Sequence, residues 1–170
     1  SNNNNPDAHY NGTAQEILDE FGNDLDMVVI STGTGGTITG IAKKLKESIS
    51  NIEIVGIDPI GSILGGGSDV TPYYVEGIGY DFFPDVLDNS LVDRYIKTSD
   101  EDSFAMARKL IQEEGLLIGG SCGAAVWGAI EAAKNLDSNK NVLVILPDSI
   151  RNYLSKFVND KWMTKNGFKI

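Results

Sequence analysis

Apolar positions along this chain change their spacing several times, and each change predicts an element. TAQEILDEF carries helical spacing behind Thr13, which predicts a short helix with that threonine as its cap. DMVVIS is a continuous apolar run and predicts a buried strand. TITGIAKKLKES returns to helical spacing, with Ile38, Ile41, Ala42 and Leu45 on one stripe, and IEIVGID predicts a second strand. The period then dissolves. PIGSILGGGSDVTPYYVEGIGYDFFPDVLDN mixes glycine, proline and aromatics over a length too great for an idle connection, which predicts a functional loop. Order resumes with a strand at LVDRYIK. Ser99, with Asp102 three residues on, then starts a helix DEDSFAMARKLIQEEG closed by Gly115. A strand-like LLIGG, a helix through AAVWGAIEAAKNL, a strand NVLVILP and a last helical stretch IRNYLSKFVNDKWM complete the chain. Strands separated by helices of about a dozen residues predict an α/β fold, a mostly parallel sheet with helices on both faces. No internal repeat is visible, and the asparagine run at the start is the biased segment.

Composition narrows the chemistry. With 170 residues, 41% of them hydrophobic and 22% charged, the chain predicts one core and one domain over 1–170. A formal charge of −10 repels polyphosphate backbones and anionic bilayers alike, so no nucleic-acid and no membrane partner is expected. The single cysteine, Cys122, excludes an internal disulfide and a cysteine-cluster zinc site, and no metal site is expected. It also suits a reducing compartment; with no spanning apolar run and no leader pattern, a cytoplasmic protein is expected. The opening SNNNNPD, without Met, reads as a chain cut open at a loop.

GTGGTITG, residues 33–40, sits between a predicted strand and a predicted helix, an arrangement that aims free main-chain N–H groups at an anion. The dinucleotide fingerprint requires glycine where Ile38 stands, and the mononucleotide P-loop requires lysine where Ile41 stands. What remains is a cradle for one compact phosphate, gripped by amides and by the Thr34 and Thr37 hydroxyls. Tight strand-to-helix packing would explain the same glycines. GGSCG, residues 119–123, forms a second such turn, and Pro147 and Asp148 of LPDS end the last strand at the same edge. There Ser121 offers a neutral hydroxyl, or serves as an ordinary N-cap. Asp58 stands where a ribose-binding acid would be in a nucleotide-binding α/β domain. His9, the lone histidine, is expected to be structural or solvent-facing, and Cys122 to pack.

Four stretches in order, STGTGGTITGIAKKLK, YVEGIGYDFFPDVLD, EEGLLIGGSCGAAV and VILPDSIRNYLSKFVNDKWM, resemble the cystathionine β-synthase family of fold-type II pyridoxal-phosphate enzymes, from about NPDAHY to the C-terminus. The glycine turn alone is shared with cysteine synthases, whereas VEGIGYDFFP, and RNYLSKF followed by DKWM, fit the cystathionine family better. The resemblance implies a tryptophan synthase β-like fold, present as a partial chain: the larger, cofactor-binding part of a catalytic core. It implies pyridoxal 5'-phosphate as cofactor, its phosphate on Gly33, Thr34, Gly35, Gly36 and Thr37, its ring nitrogen at Ser121, and Pro147 and Asp148 on the same edge. By the same resemblance Gly77, Gly79 and Tyr80 lie at the substrate mouth, with Tyr80 near the reacting side chain; a packing lid would explain that tyrosine equally well. The implied reaction condenses serine with homocysteine to cystathionine and water. A neutral hydroxyl at the ring nitrogen makes the cofactor a weaker electron sink and favours loss of the β-substituent. Sulfide in place of homocysteine is the cysteine synthase alternative.

One departure matters most. The family's Schiff-base lysine stands upstream in a Ser-x-Lys-Asp-type context that is missing here, and Lys43, Lys44, Lys46, Lys156 and Lys161 lie in helical surroundings that read as solvated faces. The upstream half of the core, a haem-ligating N-terminal segment and a regulatory domain pair are likewise expected outside this sequence. The 170 residues alone are therefore expected not to catalyse β-replacement, while the intact protein is expected to be a homodimer.

Overall fold

The computed structural model describes residues 2–170. Four parallel strands form one sheet in the order β3-β2-β1-β4: β1 Met27–Ser31, β2 Glu53–Pro59, β3 Arg94–Thr98 and β4 Val142–Val144. The apolar run of β1 is divided by the pleat. Met27 and Val29 enter one core with Val55, Ile57, Phe104 and Ala124, while Val28 and Ile30 enter the other with Ile38, Ile41 and Leu45. Helix α3 (Gly36–Ser48), with α1 (Asn4–Ala8) and α2 (Ala14–Phe21), covers the second face; α4 (Asp100–Glu114), α5 (Gly120–Ala133) and α6 (Asp160–Lys165) lie with the first. The expected α/β sandwich is present.

Several boundaries differ from the sequence expectation, each for a local reason. Thr13 does not cap a helix: its backbone is already helical, and its hydroxyl bonds His9 Nδ1 at 3.0 Å. Helical structure begins at Asn4, with Pro6 in the first turn where its missing N–H costs nothing, and passes through a π-turn at His9–Thr13 into α2. The strand expected from residue 91 starts at Arg94. Asp93 takes over the ladder there, accepting the Ile54 N–H at 2.7 Å and the Lys46 ammonium at 2.6 Å. The segment before GGSCG is not a sheet strand; Ile118 makes one isolated antiparallel bridge with Ser149. The final stretch is not one helix either. A 3-10 turn at Ile150–Tyr153 gives way to irregular chain, because the Arg108 guanidinium takes the Phe157 and Val158 carbonyls and Asn159 opens α6 as a new N-cap. The α4 expectation agrees with the structure: Ser99 accepts the Asp102 N–H at 3.1 Å and Gly115 closes the helix at φ +69°.

α4 and α5 pack backbone to backbone at Gly123. A Cβ there would lie 2.1 Å from Ser103 O and 2.6 Å from Ala107 N, both main-chain atoms that yield only if the helices part. Gly123→Ala is expected to cost about 2 kcal/mol, overpacking outweighing the better helix propensity of alanine. Thermal or urea denaturation measures it, and an unchanged midpoint would mean that the helices stand further apart.

Candidate functional site

β1 keeps its sheet pairing as far as Thr32, whose N–H donates to Ile57 O at 2.8 Å. Gly35 then takes φ +90°, a left-handed conformation that turns the chain into α3. No side chain caps that helix, and the N–H groups of residues 33–38 donate to no acceptor among the described residues. Free main-chain donors at the positive end of a 13-residue helix, flanked by the Thr34 and Thr37 hydroxyls, suit an anion of phosphate size.

The other glycines of this turn answer to packing. A Cβ on Gly33 would stand 2.5 Å from Gly77 O, one on Gly36 2.2 Å from the Asn5 side chain, and one on Gly40 2.2 Å from Pro6 O. Packing thus accounts for these three positions, though against the long loop and α1 rather than between strand and helix as expected, while Gly35 is required by its backbone angle.

The second turn shares the same edge. Ser31 Oγ, at the end of β1, donates to Ser121 O at 3.0 Å, tying the first turn of α5 to the strand that feeds the glycine turn. Ser121 is not the N-cap: Gly119 is, without a side-chain bond, and Ser121 lies inside the helix, buried. Its hydroxyl is therefore not spent on capping. Asp148 closes this turn from behind, its Oδ2 accepting the Tyr153 hydroxyl at 2.5 Å and its Oδ1 facing Cys122 Sγ at 3.5 Å. Burial, then the bond to Asp148, pushes the Tyr153 phenol far above its ordinary value, so it stays a donor. Burial likewise pushes the Cys122 thiol up, in keeping with a packing role. Pro147, next to Asp148, is exposed.

The long loop docks onto the first turn. Gly79 N–H donates to Thr32 O at 2.8 Å, and Gly77 O faces Gly33. Tyr80 is held by its main chain: Ser62 Oγ accepts its N–H at 2.9 Å and donates to its carbonyl at 3.0 Å. The Tyr80 ring packs on Phe82 at 4.9 Å and lines a groove of about 430 Å³ with Thr71 and Tyr73. Beneath the loop, Lys97 Nζ bonds Ser62 O and Asp58 Oδ2, each at 2.6 Å. Asp58 is fully buried and also accepts the Gly65 N–H at 2.8 Å. It has no access to a ribose, which removes the support for the nucleotide-binding alternative.

His9 was not legible as part of this site. Its Nε2 stands 3.1 Å from Thr37 Oγ1, and Asn5 Nδ2 donates to Thr34 Oγ1 at 3.4 Å, so α1 and its π-turn meet both hydroxyls of the glycine turn. The spacing of four between Asn5 and His9 on a helix was the available signal; nothing local announced where that helix docks. Among the lysines, Lys46 pairs with Asp93, Lys156 with Glu76, Lys97 with Asp58, and Lys43 and Lys44 lie over the Tyr10 ring. Among the described residues no helix is long and apolar enough to cross a membrane.

A profile of the family described as pyridoxal-phosphate dependent enzyme matches residues 1–148. A cystathionine beta-synthase of Mus musculus is 56% identical over 169 residues, which are 96% of this chain and 30% of that protein. A cysteine synthase of Helicobacter pylori is 45% identical over 152 residues, 89% of this chain and 50% of that protein. The crystal structure of an O-acetylserine dependent cystathionine beta-synthase from Helicobacter pylori superposes with a TM-score of 0.87 at 43% identity, covering 92% of this chain and 51% of that one. The chain spans about a third of the length of the curated cystathionine beta-synthases it matches.

Proposed function

The chain belongs to the pyridoxal-phosphate dependent enzyme family, and from that premise we propose that it is the larger, cofactor-binding part of a β-replacement catalytic core, one domain over residues 1–170. The proposed reaction condenses serine with homocysteine to cystathionine and water. The observation that carries this reading is the meeting of two uncapped helix N-termini at one sheet edge, joined through Ser31 Oγ and Ser121 O.

Gly33, Thr34, Gly35, Gly36 and Thr37 would hold the cofactor phosphate through free amides and two hydroxyls, and the chain's unspent donors fit that group. Ser121 would meet the ring nitrogen with a neutral hydroxyl. Pro147 and Asp148 would line the same edge, where the Asp148 carboxylate accepts the Tyr153 hydroxyl and faces Cys122 Sγ. When bound, the cofactor supplies an electron sink for the α-carbon of the amino acid. Gly77, Gly79 and Tyr80 form the substrate side, and the Ser62 bonds hold Tyr80 at a fixed height above the first turn. Tyr80 is the catalytic candidate of this chain. The Schiff-base lysine would come from the upstream half of the core; Lys97, at the end of β3, is committed to Asp58 and Ser62. The isolated 170-residue polypeptide is accordingly inactive.

Ser121→Asp in the complete protein tests the ring contact. A carboxylate there would stabilise a protonated ring nitrogen, so cystathionine formation is expected to fall roughly 100-fold with the cofactor still bound. Unchanged turnover would place the ring elsewhere. The similarity to the Helicobacter pylori cysteine synthase and to an O-acetylserine dependent enzyme favours a second reading, sulfide as nucleophile or O-acetylserine as donor. Turnover of serine plus homocysteine compared with O-acetylserine plus sulfide on the complete protein separates the two. The proposal extends to a cytoplasmic homodimer. Haem, which the resemblance places in an upstream segment, would give the complete protein a Soret band, and a spectrum without one removes it.

A further inference from the structure

We propose that His9 is a positioning residue for the phosphate turn, orienting the Thr37 hydroxyl toward the anion while Asn5, one helical turn earlier, braces Thr34. The inference rests on the reading that residues 33–37 hold phosphate.

Among the described residues no lysine or arginine bonds to the turn. Lys43, Lys44 and Lys46 stand further along α3, the first two over the Tyr10 ring and the third on Asp93. The hydroxyls of Thr34 and Thr37 therefore matter, and a hydroxyl helps only if its hydrogen faces the anion. His9 decides this for Thr37. Its ring lies between two threonines, Nδ1 at 3.0 Å from Thr13 Oγ1 and Nε2 at 3.1 Å from Thr37 Oγ1. Burial lowers the imidazole below its ordinary value, so at neutral pH it carries one donor and one acceptor. With the proton on Nε2, His9 donates to Thr37 Oγ1, and Thr37 is left to point its own hydrogen into the cradle. With the proton on Nδ1, Thr37 would donate to His9 and turn a lone pair toward the phosphate, a repulsive arrangement. A bound dianion thus selects the Nε2–H tautomer, and Thr13 completes the relay by donating to Nδ1.

The approach of α1 is built into the sequence at three places. Gly36 leaves room for the Asn5 side chain, Gly40 for Pro6 and His9, and the π-turn at His9–Thr13 sets the register in which His9 reaches Thr13. Two glycines in the first turns of a helix weaken it, and that cost brings the Asn5 and His9 side chains against the anion-binding hydroxyls.

The test uses the complete protein with pyridoxal phosphate and the variants His9→Ala, His9→Gln, Thr37→Val and the double variant His9→Ala/Thr37→Val. Cofactor dissociation constants, the 31P shift of the bound phosphate and the thermal midpoint of the apoprotein are measured. His9→Ala is expected to weaken cofactor binding about tenfold and to move the 31P resonance. His9→Gln, which keeps an N–H donor, is expected to recover most of the loss, and the double variant to be no worse than Thr37→Val. A His9→Ala protein with a lower apoprotein midpoint but unchanged affinity and 31P shift would show that the ring merely fastens α1, which overturns the inference alone. If Thr37→Val leaves affinity unchanged, the phosphate reading itself fails and the inference falls with it.

Discussion

Gly35→Ala is expected to weaken pyridoxal phosphate binding on the order of 100-fold. Two penalties coincide there. At φ +90° an L side chain crowds its own carbonyl, which costs about 1 to 2 kcal/mol. The added Cβ would also meet Leu87 Cβ at 2.4 Å and Leu87 Cα at 2.7 Å, so the turn cannot relax outward without moving the C-terminal end of the long loop. The relief available is to abandon the positive φ, and that rotates the amides of the turn off a common target, at about 1.5 to 3 kcal/mol for each charge-assisted bond lost. Titration of the complete apoprotein with the cofactor measures the loss, and the apoprotein's thermal midpoint separates it from general unfolding. Wild-type affinity in a folded Gly35→Ala protein would mean that the phosphate sits elsewhere.

Lys97→Met is expected to cost about 3 kcal/mol of folding stability, because it strands the Asp58 carboxylate in the core. Asp58 is fully buried while its partner is one-third exposed, so removing the ammonium leaves one main-chain bond, from Gly65, to Oδ2, and Oδ1 already lacks a partner. Replacing both members, Asp58→Asn with Lys97→Met, is expected to recover much of the loss. Denaturant midpoints of the two variants check this, and equal stability of Lys97→Met and wild type would refute it. A second consequence is functional. Lys97 also grips Ser62 O, and Ser62 holds both main-chain groups of Tyr80, so the substrate-side loop is expected to loosen and the KM for the amino-acid substrate to rise.

Particular residues show where local reading works. Ser99, Asp102 and Gly115 bound α4 as expected, because a cap and a C-terminal glycine act within a few residues of themselves. Thr13 looked like the same device and was not one. The asparagines before it, with little helix propensity of their own, become helical because they dock on α3, and that gain is invisible to a local window. The last stretch failed for the converse reason: helical spacing was present, but Arg108, some fifty positions away, claimed the carbonyls a continuous helix would need.

The sheet-forming runs, the helical stripes and the two glycine turns were written in the chain itself, since spacing and missing side chains act over a handful of neighbours. So was the neutral hydroxyl at position 121, a matter of residue type. Which glycine serves a backbone angle and which a neighbour's approach, that Asp58 is sealed beneath the long loop, and that His9 stands against Thr37 were settled by docking between segments far apart in order. Such contacts depend on how whole elements pack, and packing sums many weak, distant terms that no short stretch of sequence contains.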